Sequence, residues 1–316
     1  MSVAAAAAAA TTIFGKRRAT ARASNPDRRR RVRTAFLFLT PSLIGVVLFL
    51  VIPVIFVMAL SLTRWNLLTP IQWVGLSNYA NIFRFDGFGH SLLVTAYYVL
   101  LNIPVQTVLA LGLALLLNNK RTGSALIRVI CVLPFLATPV AMGVVWNWFF
   151  SPTGMINQFL AHLGITGPAW LSDQATAMPV IAFANIWQYA GYNMLFFLAG
   201  LQAIPLSLYE AASIDGATKI QQFRRVTLPL LRPALMFVLV TGVIGSFQVF
   251  DTVYVMTAGG PGNATKVANL NIYNTAFAGF RIGEASAMSV VLFLIILVVA
   301  IAQFTYFNRR TTYEIA

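Results

Sequence analysis

Residues Tyr209–Pro233 read YEAASIDGATKIQQFRRVTLPLLRP. Four basic residues (Lys219, Arg224, Arg225, Arg232), two acids (Glu210, Asp215) and two glutamines interrupt a half-chain that is otherwise mostly apolar. Pro205 suits a helix first turn, and Leu206–Ile214 behind it is helix-like. Asp215-Gly216 is a turn signal, because glycine takes a positive φ at little cost. From Thr218 onward Ile220, Phe223, Val226 and Leu230 recur at spacings of three, three and four, which predicts a second helix with one apolar stripe. Pro229 and Pro233 close it before the next apolar run. These two short helices around a bend are too long for a turn and too short for a domain. Their meaning depends on where the stretch lies relative to a membrane.

Composition supplies the membrane. Of 316 residues 59% are hydrophobic and only 9% charged, and no water-soluble domain of this size needs so much apolar surface. The chain reads as an all-α, polytopic membrane protein. Its formal charge of +14 would suit nucleic acid only if the bases formed one face of a soluble domain. They sit instead in tails and short loops, so they are topology signals and no nucleic-acid partner is expected. The single cysteine, Cys131, rules out an internal disulfide or a thiolate metal cluster; it lies in an apolar run and reads as a packed thiol.

Six apolar segments can each cross ~30 Å of hydrocarbon, which takes about 20 helical residues: Ala35–Leu60, Ser91–Leu117, Ala125–Phe150, Met178–Gln202, Ala234–Met256 and Ala285–Phe307. The first continues too long for a cleaved signal peptide and is expected to be retained. Nine basic residues precede it, Lys120, Arg121 and Arg128 follow the second span, four lie in the opening stretch, and Arg309 and Arg310 end the chain. Eighteen of the 22 bases therefore fall on one side. By the positive-inside rule both termini and the Tyr209–Pro233 stretch are cytoplasmic. The expected organisation is a disordered basic tail over 1–34, a six-helix transmembrane region over 35–307 containing a cytoplasmic insert at 203–233, and a C-terminal tail over 308–316. Pro53, Pro104, Pro134 and Pro139 fall inside spans, where each removes a backbone donor and bends or breaks its helix.

An amphipathic cytoplasmic helix lies on lipid, packs on its own bundle, or docks into a partner. Here Glu210-Ala211-Ala212, three residues, Gly216, nine residues, then Val226-Thr227-Leu228-Pro229 resembles the EAA loop of ABC importer permeases, with Val226 standing where that pattern has isoleucine. The resemblance implies a type I importer permease fold and a coupling helix seated in a cleft of a separate ATP-hydrolysing subunit. Glu210, Ala211, Ala212, Asp215, Gly216, Val226, Leu228 and Pro229 are then its coupling residues. For Glu210 a solvated carboxylate at a helix N-terminus is the plainer alternative. Ser246–Thr265, SFQVFDTVYVMTAGGPGNAT, is similar to the fifth-span end and following loop of carbohydrate-type permeases, the maltose and glycerol-3-phosphate group, and within it to the first of two paired subunits.

Nothing in the sequence hydrolyses ATP. Gly15-Lys16 is followed by Arg17 and lacks the earlier glycine of a phosphate loop, and Gly259-Gly260-Pro261-Gly262 has no Lys-Ser/Thr after it. The chain is expected to be no enzyme, to bind no metal, and to leave ATP and Mg to a partner. An ion-gradient-driven secondary transporter is the rival; such proteins place paired ionisable groups at mid-membrane, whereas these spans hold one acid well inside, Asp251. His90 and His162 lie outside the spans with no motif pairing them to a nucleophile.

The expected path lies between spans four and five. Asn185, Gln188 and Tyr192 share a helix face, and Gln248, Asp251 and Tyr254 follow on span five. Given that orientation, Asp251 is roughly 8 Å and Gln188 roughly 15 Å from the outer ends of their spans at 1.5 Å per residue. Aromatic faces with amides and a carboxylate suit a sugar-like polyol, although the same residues also serve as interhelical glue. The expected assembly has this chain in the cytoplasmic (inner) membrane of a prokaryote with a second, similar permease, two ATPase subunits, an extracytoplasmic solute-binding protein and surrounding lipid, importing a carbohydrate or sugar phosphate.

Overall fold

The computed structural model describes residues 26–118 and 123–308. Most of the expected basic tail, Gly15-Lys16, Lys120, Arg121 and the C-terminal tail from 309 lie outside them. The chain divides at Phe56–Val57 into two units, each taken by itself.

In the first unit α1 (Pro26–Val46) leads into a π turn (Val47–Val51), and α2 (Ile52–Leu60) carries the chain into the second. The helix begins at Pro26, within the stretch expected to be a disordered tail. Proline is preorganised for a first turn and arginine is a good helix former, so the helix runs ahead of the apolar span, which starts at Arg33. The π turn stops just before Pro53, whose ring removes one backbone donor from the ladder.

The second unit opens with a small antiparallel hairpin, β1 (Thr63–Arg64) on β2 (Gln72–Trp73), pairing Thr63 with Trp73 and Arg64 with Gln72. Then follow α3 (Ser77–Arg84), α4 (Phe88–Leu117), α5 (Ser124–Leu136), α6 (Pro139–Phe149), α7 (Met155–His162), α8 (Gln174–Gln202) and α9 (Leu206–Ile214). After them come α10 (Lys219–Gln222), a π turn (Phe223–Thr227), α11 (Leu228–Leu230), α12 (Arg232–Phe247), α13 (Asp251–Met256), α14 (Ala268–Tyr273), a π turn (Asn274–Ala278) and α15 (Ile282–Asn308).

The core runs along α4 and α8. Ala110 and Ala114 of α4 are fully buried, and these small side chains let Met194, Phe197 and Leu201 of α8 approach closely, with Leu231 and Val238 filling the far side. A second cluster joins Met178, Ile181, Val253 and Leu270. Where α8 crosses α5, a Cβ on Gly191 would overlap the carbonyl of Cys131, so only glycine permits that approach. The opposite face of α4 carries Leu93, Leu100, Val108 and Leu116, each 71–74% exposed. An apolar face left uncovered along thirty residues suits hydrocarbon or a second subunit.

Among the described residues three unbroken helices are long and apolar enough to cross a membrane, and up to six spans result if each of three bent pairs counts as one. Two expected spans are corrected, the third by one of those bends and the fifth by a separate break. The third is not one helix over 125–150: α5 and α6 meet at 96°. Thr138 caps α6 by accepting from the Ala141 N–H, and Pro139 starts it, while Pro134 sits in the last turn of α5. The fifth is not one helix over 234–256: α12 stops at Phe247 and α13 starts at Asp251. Gly242, Gly245 and Ser246 weaken the last turns of α12, and Asn269 Nδ2 donates to the Gln248 carbonyl at 2.8 Å, satisfying a group the broken helix leaves open. Pro104, by contrast, sits inside the thirty residues of α4 without breaking it.

Candidate functional site: an intramembrane cavity and a polar insert

A cavity of about 260 Å³ opens between α4, α8 and the α12–α13 break. Of the residues expected to line a path, Asn185, Tyr192, Gln248 and Asp251 do so. Gln188 and Tyr254 do not. Gln188 is 2% exposed and donates from Nε2 to the Ala137 carbonyl at 3.0 Å, the group freed where α5 ends and α6 begins. Helical geometry explains the correction. At about 100° per residue from Asn185, the lining residues Tyr192, Tyr189 and Asn193 fall near −20°, +40° and +80°, and Gln188 near −60°, at the edge of that arc. Tyr254 instead packs on Phe250 at 5.4 Å and Tyr273 at 5.6 Å, because α13 is a separate helix with its own direction. The depth assigned to Asp251 along a continuous span five falls with that span: Asp251 is the exposed first residue of α13.

Sequence reasoning missed the α4 wall, Tyr98, Asn102 and Gln106. Their spacing of four places three polar groups on one face of an apolar helix, a signal that was available. Asn102 Nδ2 donates to Asn185 Oδ1 at 3.1 Å and to Ser246 Oγ at 2.9 Å, tying α4 to α8 and α12. Asn193 Nδ2 donates to Gln106 Oε1 at 3.1 Å. Phe135 stacks on Tyr192 with ring centroids 4.0 Å apart and planes at 11°. Two buried atoms on lining residues, Tyr98 Oη and Asn102 Oδ1, have no protein partner. An unpaired buried polar group costs about 1–3 kcal/mol, so a hydrogen-bonding partner admitted beside either atom would be stabilising.

The polar insert forms a second site. α9 spans Leu206–Ile214 as its sequence predicts, and it ends in a Schellman motif: the Gly216 N–H bonds Ser213 O at 3.1 Å and the Ala217 N–H bonds Ala212 O at 2.9 Å, with Gly216 at φ +73°. Thr218 starts the second helix in a reciprocal capping box with Gln221. The apolar stripe is corrected there. Ile220 is 68% exposed, and the buried positions are Gln222 and Thr227, five apart across the π turn. Gln222 Nε2 donates to Ser213 Oγ at 2.9 Å and Thr227 Oγ1 bonds Tyr209 Oη at 2.9 Å, so polar tethers to α9 set the register. Glu210, Ala211, Asp215, Gly216 and Leu228 are exposed; Ala212, Val226 and Pro229 are half-buried. Leu206 and Ile214 add 71% and 87% exposed apolar side chains to the same insert.

No group of three or more His, Cys, Asp or Glu among the described residues is placed to hold a metal ion.

A polytopic helical bundle with a small hydrogen-bonding cavity and an exposed polar insert is the build of a transport component, and the family follows. Residues 74–313 match the family described as "Binding-protein-dependent transport system inner membrane component", and the chain belongs to it. It is 36% identical over 284 residues to the "Probable ABC transporter permease protein YesP" of Bacillus subtilis, covering 88% of this chain and 92% of that protein. It is 34% identical over 270 residues to the "Trehalose/maltose transport system permease protein MalF" of Thermococcus litoralis, covering 85% and 91%. In solved structures its fold recurs, at TM-score 0.77 and 24% identity over 90% of this chain and 99% of the other, in a bacterial ABC transporter involved in import of the acidic polysaccharide alginate. The chain is thus a multi-pass inner-membrane permease component of a binding-protein-dependent ABC importer. The ion-gradient alternative finds no favour in these relatives.

Proposed function

We propose that this permease forms half of a translocation path for a carbohydrate-like solute and couples it to a separate ATPase subunit through the 203–233 insert. What carries this reading is the cavity. It combines stacked aromatic faces, neutral amides and hydroxyls, and two buried polar atoms without a protein partner. Sugars offer the matching mixture of apolar ring faces and hydroxyls that donate and accept. At about 260 Å³ the cavity lies just below the ~300–1,000 Å³ usual for ligand sites, which fits a site completed by a second permease.

Charge counting supports an orientation with both termini and the insert cytoplasmic. There the insert meets one of two ATPase subunits, which bind ATP and Mg, while a solute-binding protein delivers cargo from the other side. The exposed Glu210 and Asp215, together with Leu206 and Ile214, present a mixed polar and apolar surface of the kind a partner cleft covers. Gly216 holds the bend that aims it. Replacing Gly216 with valine forces a β-branched side chain into φ +73°, and Glu210→Lys inverts an exposed charge. Both variants should insert in the membrane, lose transport and bind the ATPase subunits more weakly in pull-downs. Normal import by a normally assembled Gly216→Val complex would end the coupling assignment.

A further inference from the structure

The relatives leave open whether the solute is charged, since the same fold serves a trehalose/maltose system and an importer of an acidic polysaccharide. The cavity's own side chains speak to it. Among the described residues its lining holds one formally charged group, Asp251, and no Lys, Arg or His. Ion pairs join Arg281 to Asp86 and Glu284, outside this lining, and the Asp251 carboxylate has no cationic partner among the described residues.

The uncharged lining offers both hydrogen-bond directions. The amide donors of Asn102 are taken by Asn185 and Ser246, and an amide donor of Asn193 by Gln106. The Asn102 Oδ1 acceptor and the Tyr98 hydroxyl have no protein partner, while Gln248, Tyr189 and Tyr192 bring groups that can donate. Such a mixture suits hydroxyls, which donate and accept, and leaves the charge preference to Asp251.

We propose that this cavity excludes anions, so that the solute is a neutral polyhydroxylated molecule or one bearing an ammonium group, with Asp251 as the residue that sets the charge preference. The inference rests on the carbohydrate-permease reading and narrows it by removing sugar phosphates and uronates. An anion within ~6 Å of Asp251, at an effective dielectric constant of ~20, is disfavoured by about a hundredfold relative to its neutral counterpart, and by about tenfold where water screens the pair.

The test reads the cavity's potential without requiring the solute's identity. Gln248 is exposed in the lining, and Cys131 is the chain's only native cysteine. In the full transporter with Cys131→Ser and Gln248→Cys, the new thiol is labelled in open membrane fragments by two methanethiosulfonate reagents, one with a trimethylammonium tail and one with a sulfonate tail. Any effect of Asp251 on thiolate formation slows both alike and cancels in the ratio of their rates. Asp251 attracts the cation as much as it repels the anion, so the expected cation-to-anion ratio is about a hundredfold to ten-thousandfold above that of free cysteine, and it returns to the free value with Asp251→Asn. Thr241→Cys, also exposed in the lining, serves if Gln248→Cys does not assemble. A ratio equal to that of free cysteine, or one favouring the anion, overturns the proposal. ATP-driven uptake of sn-glycerol 3-phosphate or an alginate disaccharide by the unmodified transporter overturns it as well. A high ratio with no ATP-driven uptake of any polyol would instead sink the carbohydrate reading while leaving anion exclusion standing.

Discussion

Gly191→Ala adds one methyl group where α8 crosses α5. Built on the backbone, that carbon overlaps the Cys131 carbonyl and lies 3.0 Å from the Val132 nitrogen. Ordinary contacts of carbon sit near ~3.5 Å. The obstacle is backbone inside a thirteen-residue helix, not the movable tip of a side chain, so α5 must retreat by more than about 1 Å at the crossing to restore contact distances. Alanine gains up to ~1 kcal/mol of helix propensity over glycine. Overpacking costs about 1–3 kcal/mol and occasionally more, and a rigid backbone obstacle belongs at the upper end. The clash wins, and the expected net loss is about 2 kcal/mol. Gly112→Ala is the matched control: it lies within α4 with nothing inside 4 Å of an added Cβ, so it keeps only the propensity gain. Unfolding of the purified proteins in detergent should order them Gly112→Ala, wild type, Gly191→Ala. Transport should fall too, because Phe135, four residues beyond Cys131 on α5, stacks on Tyr192 in the cavity wall. Gly191→Ala matching Gly112→Ala in stability would refute the close-crossing argument.

Other outcomes follow from the polar contacts. Asn102→Leu deletes the bonds to Asn185 and Ser246; at roughly 0.6 kcal/mol per bond between membrane helices it should cost about 1–2 kcal/mol on unfolding and reduce uptake further than stability alone accounts for. Arg281→Ala strips the cation from Asp86, whose side chain is 6% exposed. A buried pair broken from one side costs about 3–5 kcal/mol, reduced here to about 1–3 because Arg281 is 47% exposed, and Asp86→Asn in the same chain should restore part of the loss. Thr218→Ala removes one arm of the capping box and should lower stability by about 1 kcal/mol, with hydrogen exchange rising first at the start of α10.

The insert shows how far local reading reaches. Leu206–Ile214 and the bend at Gly216 were legible because a proline start, a short run and a glycine with positive φ are neighbours in sequence and act on one another directly. The helix after Thr218 was legible as a helix but not in its register. Side chains of Gln222 and Thr227 bond to Ser213 and Tyr209 on α9, and the five-residue interval between them is met by a π turn that a 3.6-residue pattern does not contain. Asn185 and Tyr192 were found and Gln188 misplaced for a related reason. Pattern assigns a side chain to a broad face, while the lining of a cavity is decided within some tens of degrees by where the neighbouring helices stand.

The sequence alone determined that this chain lives in a membrane, the six apolar runs, and the place and first half of the polar insert. Those rest on composition, length and near-neighbour chemistry, which act wherever the chain sits. Only the tertiary structure decided how sharply run three turns at its prolines, that run five breaks, that α4 supplies a wall of the cavity, and that Asp251 heads a separate helix. Each of these depends on a group far away in the chain taking up a backbone or side-chain polar atom: Gln188 for the carbonyl of Ala137, Asn269 for that of Gln248, and Asn102 between Asn185 and Ser246. In a medium with little water to satisfy an open N–H or C=O, such distant partners determine where a helix can stop.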